Sequence, residues 1–482
     1  MPKRLAFLIV VLLTLFSWVG PAGAADEKSE DPALILEVME LVRDYHLDKP
    51  EPGVLTDGAI RGMLYEIGDP YAEYFDPETL QSFTDALNGD LIGVGVELIS
   101  HDGYPAVIGV IPGTPAQRGG LQIDDLITAV AGKSTADRLL AEVAAEIRGP
   151  QDTSVILTIR RGVKEFDVTL QRAEVHVPSV AYEMLAGKTG YISVNAFGSH
   201  TTGEFESALR ELRRMDMSTL IIDLRGNGGG YLHEAVDMLD NFLPDRAVAV
   251  YSVDNREFTE EIRTNQAPTV TDMPLVVITD LNSASSSEIM AGALRDHGLA
   301  RLVGGVTYGK GVVQTVIPLS NGGALKITTA RYRTPAGTDI DITGLRPDHQ
   351  VLTRAMQKEV AWQLLNPLDH PDLSFTAGKE ALLNGRKTGL VLDVLNVGRR
   401  EYLPMRPVLE SMLYQVYGEE DKMRVVDAKK EKMVFQLDSN GSVTGSNVII
   451  NEGVEYIAVD LFPRLNINVN RDGEVYKLER WL

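Results

Sequence analysis

Between about Val175 and Val351, short apolar runs and amphipathic stretches take turns along the chain. YISVNAF, TLIIDL and LVVIT read as strands, whereas FESALRELRRM, EAVDMLDNFL and SEIMAGALRDH read as helices. Apolar side chains at every second position suit one face of a sheet. Those spaced three and four apart suit one face of a helix. Sustained over this length, the alternation predicts an α/β core, with strands buried beneath helices.

The rest of the 482-residue chain has different textures, and a chain this long is expected to divide into two to four domains. Residues 31–89 carry apolar residues at helix spacing (PALILEVMELVRDYHL, then AIRGMLYEI). Residues 90–173 are rich in short β-type runs such as SVILTIRRG and EFDVTLQR, with one helix near LLAEVAAEIRG. Residues 174–352 hold the α/β core, and 353–375, with NPLDHPDL, read as a linker. Residues 376–482 read as a β-rich repeat region, because GRREYLPMRPVLESML is echoed by NEGVEYIAVDLFPRL. The expected architecture is therefore multidomain, α/β and α+β.

The first residues point outside the cytoplasm. Lys3 and Arg4 precede the apolar run Leu5–Val19, and Ala22-Gly23-Ala24 fits the small-x-small rule for signal-peptidase cleavage. Residues 1–24 are thus expected to be a signal peptide. The apolar run is short for a bilayer span, which needs about 20 residues. An uncleaved tether is the alternative, and either way the expected location is extracytoplasmic, secreted or associated with the cell envelope.

Composition removes several classes of function. A formal net charge of −22 argues against nucleic acid or an anionic membrane surface as the main partner. With no cysteine, thiol nucleophiles, disulfides and thiolate metal sites are excluded. The eight histidines show no close ligand spacing, so no metal and no cofactor are expected.

Glycine-rich segments carry the first chemical signals. TLIIDLRGNGGGYLHEAVDML is a strand, a glycine loop and a helix, which could offer backbone N–H groups to an anion. A tight turn alone would also explain such a loop. Gly304, Gly309 and Lys310 imitate a phosphate-binding loop, but Gly311 stands where the magnesium-binding hydroxyl should be. The following VVQTVIPL is strand-like, so no helix dipole faces a phosphate.

LNSASSSEIM brings Ser283, Ser285, Ser286 and Ser287 to the start of a helix. Ser285-Ser286-Ser287-Glu288 is a capping box, and capping is the commoner use of such a motif. A nucleophile at a helix N-terminus would gain from the same dipole and N–H groups. Lys310 lies a helix and a strand further on, between two glycines. A lysine on an apolar strand is usually a surface residue, but one held in a desolvated site can act as a neutral base. A Ser-Lys dyad would need no histidine.

Two resemblances sharpen these readings. Leu91-Ile92-Gly93-Val94-Gly95, PGTPAQRGGLQIDD and the Gly-Lys-Ser turn resemble a PDZ domain. That resemblance implies that Leu91, Ile92, Gly93, Val94 and Gly95 receive the C-terminal carboxylate and apolar terminal residue of a peptide. SASSSEI, YGKGVVQ, DLRGNGGG, DPYAEYFDPETLQSF and TTARYRTPAGTDIDITGLRPDHQV together resemble the carboxyl-terminal processing proteases, over about residues 32–352. The family implies Ser285 as nucleophile, Lys310 as general base and Gln314 as its support. It also implies an oxyanion hole from the N–H groups of Gly229 and Ser286. Two departures are Ser286, where the family usually has alanine, and Gly228, where it often has proline. On a regular strand Lys310 and Gln314 would sit about 13 Å apart, so the path must bend near Gly311 or the side chains converge. The C-terminal repeats are similar to the stalk modules named for the N-terminal domain of copper amine oxidases. They contain no histidine, so copper binding is not expected. Envelope contact or dimerisation is the expectation there, with a plain folding extension as the alternative.

The expected function is an exported serine endopeptidase acting on proteins or peptides with apolar C-termini. The alternative is a catalytically weak PDZ and stalk adaptor of the cell envelope.

Overall fold

The structure is a computed structural model that describes residues 32–367, 370–419, 422–427, 432–436 and 447–480. The expected signal peptide lies outside the described residues. Among them, no helix is long and apolar enough to cross a membrane. The chain divides into two compact units, Met1–Tyr74 and Phe75–Leu482. In the first, the helices Ala33–Tyr45 and Pro52–Glu66 follow one another; Pro52 opens the second, where a missing N–H costs nothing. A third helix of the expected helical segment, Pro77–Asn88, falls in the second unit. Asp76 caps it, accepting the Thr79 N–H at 2.8 Å, and Gly89 ends it in the left-handed conformation.

Residues 90–176 leave the main body and return to it along one two-stranded ribbon. Asp90–Gly93 pairs antiparallel with Ala173–His176. Between them lie the strands Val96–His101, Tyr104–Val110, Leu126–Val130, Lys133–Ser134, Ser154–Arg161 and Lys164–Gln171, with helices Pro115–Arg118 and Leu140–Ile147. The alternating buried residues Val155, Leu157 and Ile159 face Val107, Ile127 and Val143 in a core of their own.

The α/β core is a six-stranded sheet. Its strand order is Val180–Leu185, Thr189–Val194, Thr219–Asp223, Leu275–Thr279, Ala300–Gly304 and His349–Gln350. The first pair is antiparallel and the other four pairings are parallel. The period-two alternation divides its side chains cleanly. Ile192, Leu220, Ile222, Val277 and Leu302 pack under the helices Thr201–Arg214, Leu232–Leu239 and Ser286–Asp296. Ile221, Val276, Ile278 and Val303 point the other way.

That second face corrects the expected organisation. Residues 353–375 are not a loose linker: they contain the helix Arg354–Leu365 and all but the last residue of the strand Asp372–Thr376. Met356, Val360 and Ala361 of the helix join Ile221, Val276 and Val303 in one apolar cluster with Leu403, Val408, Leu409, Ile457 and Phe462. The C-terminal region therefore covers a face of the sheet rather than standing apart. RAMQKEVAWQLL gives a weak helical pattern because sheet and C-terminal region bury it from both sides, and such a helix loses its polar stripe.

The C-terminal region is β-rich, and two of its strands run directly into short helices. Arg400–Pro404 runs into the helix Met405–Ser411, and Val454–Ala458 into the 3-10 helix Val459–Leu465. The two strands pair with each other, Leu403 opposite Ile457. A chain ending at Leu352 is expected to expose the apolar face around Ile221 and Val276 and to accumulate as insoluble protein. Soluble, monodisperse material from that truncation, measured by size exclusion, would show the cover to be dispensable.

Candidate active site

Three loops meet beyond the carboxyl ends of three neighbouring parallel strands, the usual position for a site in an α/β sheet. Residues 224–231 follow the strand Thr219–Asp223, residues 280–285 follow Leu275–Thr279, and residues 305–311 follow Ala300–Gly304. The strand order brings these loops together although they span almost ninety residues of sequence.

The four serines separate by their surroundings. Ser283, Ser286 and Ser287 are buried, and each donates its hydroxyl to a carbonyl of the glycine loop or its approach. Ser283 reaches Leu224 O at 2.8 Å, Ser286 Gly230 O at 2.9 Å and Ser287 Asn227 O at 2.9 Å. They stitch the helix start onto that loop. The Ser286 hydroxyl, an exception to the usual alanine, thus has a packing reason. Ser285 alone of the four is partly exposed.

Ser285 sits at the turn from loop to helix with φ 55° and ψ −116°. A side chain at such angles costs about 1–3 kcal/mol, a strain often found where a strand-to-helix turn presents a nucleophile. The Glu288 N–H donates to the Ser285 carbonyl at 2.8 Å, and the Ser285 N–H donates to Glu288 Oε2 at 2.9 Å. The glutamate half of the capping box is the firm one.

Glu288 does much more than cap. It is fully buried, and Oε2 also accepts the Lys310 N–H at 2.9 Å. The backbone nitrogens of Ser285 and Lys310 therefore lie no further apart than twice that distance. Oε1 accepts from the Thr307 hydroxyl at 2.5 Å and the Gly309 N–H at 2.8 Å. Tyr332, itself buried, donates to the Ser285 carbonyl at 3.2 Å. One carboxylate thus fixes the serine turn and the lysine loop to each other. Sequence reasoning gave Glu288 only the cap and missed Tyr332 and Thr307, whose partners lie far away along the chain.

The glycines beside Lys310 are required by a close approach. A Cβ on Gly309 would come within 2.8 Å of the Ile342 backbone, and one on Gly311 within 2.6 Å of the Asp341 nitrogen. Gly309 also has φ +86°, so residues 309–311 turn before the strand Val312–Pro318 begins, and the register shifts again at Val313/Gln314. The regular-strand spacing between Lys310 and Gln314 therefore does not apply. The Gln314 amide reaches the Val312 carbonyl and the Thr328 hydroxyl, 3.4 Å each.

On the other side of Ser285 the glycine loop comes equally close. A Cβ on Gly229 would stand 2.8 Å from Ser285 Cβ. The Gly229 N–H, an expected oxyanion donor, donates here to Asn227 Oδ1 at 2.9 Å. Asn227 is buried, and its own amide donates to Val194 O at 2.8 Å. Asp280 holds the far end of the loop by accepting the Gly226 N–H at 3.0 Å. Burial alone would raise its carboxyl pKa. The N–H groups of Gly226 and Asn282 and the Arg354 guanidinium outweigh that and lower it.

The β-rich domain offers a second site. Leu91, Gly93, Val94 and Gly95 line an apolar groove of about 480 Å³ with the helix Leu140–Ile147 and Arg148. Of the expected peptide-binding residues only Ile92 is not in its wall; it lies in the ribbon, exposed. Arg148 was not anticipated, because nothing marks its cation apart from others at helix ends.

A partly exposed serine on a strained elbow, locked to a lysine loop at the carboxyl edge of a parallel sheet, defines a site of hydrolase type. Comparison with known proteins gives the family. Residues 188–351 match the model of Peptidase family S41, residues 107–161 that of the PDZ domain, and residues 22–79 that of the Activating protease CtpB N-terminal domain. A Probable CtpA-like serine protease of Staphylococcus haemolyticus is 34% identical over 69% of this chain and 67% of its own. One from Staphylococcus aureus strain COL is 36% identical over 67% of this chain. This chain spans 65% of the length of that relative. Among solved structures, a Photosystem II D1 C-terminal processing protease shares 28% identity, with TM-score 0.42, over 67% of this chain and 94% of its own. The chain belongs to Peptidase family S41 and carries a PDZ domain.

Proposed function

We propose that this chain is an exported serine endopeptidase that engages the C-terminal segments of protein substrates through its PDZ groove and cleaves them with Ser285 and Lys310. The observation that carries the reading is the Glu288 clamp, which holds the serine and lysine backbones to one carboxylate oxygen. Family membership and the relatives named serine proteases support the same chemistry.

In this reading Lys310 takes the Ser285 proton as the hydroxyl attacks the scissile carbonyl, then returns it to the leaving amine. Gln314 supports the lysine. The Ser286 N–H, at the first turn of its helix, is one oxyanion donor. The Gly229 N–H becomes the second once it leaves Asn227, a two-residue side-chain turn that a substrate carbonyl can displace. Arg148, at the rim of the apolar groove, suits the terminal carboxylate of a peptide with an apolar last residue. The signal-like N-terminus supports export. The C-terminal region acts first as a cover for the sheet, and any contact with the envelope or a second copy would use its outer face.

A fluorophosphonate probe distinguishes a peptidase from an adaptor. Mass spectrometry is expected to find the adduct on Ser285 and on none of Ser283, Ser286 or Ser287. The same preparation is expected to cleave an unfolded protein with an apolar C-terminus, faster as pH rises and the lysine base loses its proton. No cleavage together with no adduct would favour the adaptor, and an adduct on another serine would overturn the nucleophile assignment.

A further inference from the structure

A cluster remote in sequence from Ser285 and Lys310 gathers at the root of the PDZ ribbon. Asp90 and His176 end its two strands and are register partners. His200 and Glu204 come from the start of the core helix Thr201–Arg214. His176 Nδ1 lies 3.0 Å from Asp90 Oδ1, and its Nε2 lies 2.6 Å from Glu204 Oε1. The rings of His176 and His200 meet edge to face, centroids 4.6 Å apart. One ligand atom from each of Asp90, His176 and His200 falls within 4.8 Å of the others. All four side chains open into one surface pocket.

We propose that Asp90, His176 and His200 form a binding site for a zinc-class divalent cation, which pins the PDZ ribbon to the peptidase core.

Donor chemistry, spacing and support all favour it. Two imidazoles and a carboxylate are a donor set for zinc rather than for calcium or magnesium, which take oxygen. Zinc bonds of about 2.0–2.1 Å set tetrahedral neighbours about 3.3 Å apart. The Asp90–His176 separation is already near this, and the ligand atom of the exposed His200 lies within 4.8 Å of both. Solvent from the open pocket supplies a fourth ligand.

Glu204 is placed as an orienting carboxylate. In this structure both ring nitrogens of His176 face carboxylates, Nδ1 at Asp90 and Nε2 at Glu204; with an ion bound, Glu204 would keep Nε2–H and Nδ1 would turn to the metal. Glu204 Oε2 is anchored by the Ser179 N–H at 2.8 Å, the Ser179 hydroxyl at 2.9 Å and the Val180 N–H at 3.1 Å. A carboxylate so fully committed fixes the orientation of the imidazole ring. The site went unseen in the sequence because its ligands lie at positions 90, 176 and 200, with no local spacing to betray them.

The test uses the full chain freed of metal and titrated with zinc chloride in a calorimeter. One zinc per chain is expected, together with a rise in thermal midpoint. His200→Ala removes an exposed ligand that makes no helix-capping hydrogen bond, so the protein should fold normally. It is expected to weaken zinc at least tenfold and abolish the thermal shift. Glu204→Gln is expected to weaken zinc about 10- to 100-fold without removing a ligand. His233→Ala, on another helix, is expected to change nothing. Zinc binding that survives His200→Ala unaltered, no stoichiometric binding at all, or equal affinity for calcium would each overturn the site.

Discussion

Ser285→Ala and Lys310→Ala are each expected to lower kcat/KM on an unfolded protein substrate by at least about 10³-fold, some 4 kcal/mol of transition-state stabilisation. The double variant is expected to be no worse than either single one. A nucleophile without its base and a base without its nucleophile are equally idle, so their effects do not add. The fold should persist, because Glu288 and backbone groups hold the helix end whatever the Ser285 side chain adds. Ser285→Gly sharpens the point. Glycine accepts φ 55° and ψ −116° without strain, so this variant is expected to be inactive yet at least as stable as the parent. Lys310→Ala retaining activity within about tenfold of the parent would remove the lysine from the mechanism.

Glu288→Gln is expected to damage stability and catalysis together. The carboxylate receives donors from Ser285, Thr307, Gly309 and Lys310, with a longer contact from the Tyr332 hydroxyl at 3.5 Å, on two oxygens buried from water. An amide of the same shape offers one oxygen and one NH₂. Whichever way it lies, at least two donors then face a donor. Each buried donor left unpaired costs about 1–3 kcal/mol, so a loss of about 2–6 kcal/mol is expected in thermal or denaturant unfolding. The serine turn and the lysine loop would also lose their common anchor. A shift of about 1 Å between reacting groups costs about 100-fold in rate, and kcat should fall accordingly while peptide binding in the PDZ groove is unchanged. If stability and kcat both stayed at parental values, the clamp would carry no weight.

Much of the fold was legible because it follows local rules. The alternation of TLIIDL, LVVIT and their helices fixed the parallel core, and the ordered turns of residues 90–173 marked a β-rich domain of the kind found. The segment 353–375 failed for a physical reason. A helix buried on both sides has no polar face to advertise it, and the Pro- and His-containing stretch after it looked like a break. The β-rich texture of the C-terminal region, with extended runs leading into short helices, was also legible. That its apolar residues continue the core of the sheet could not be read from that region alone.

The serine-rich cap, the lysine between glycines and the glycine loop were all visible as residue types, since the proposed nucleophile and base and the tight turns each demand particular side chains or none. What tertiary structure decided was their relation. Three neighbouring serine hydroxyls are spent on the glycine loop, so Ser285 is singled out by what its neighbours bind. Glu288, a helix cap to local reasoning, reaches across to a loop 22 residues away because parallel strand order sets the two loops side by side. The Gly229 N–H turns to Asn227, a detail of backbone direction that composition does not encode. Side-chain identity is local information, whereas distance between residues remote in the chain exists only once the sheet has ordered its strands.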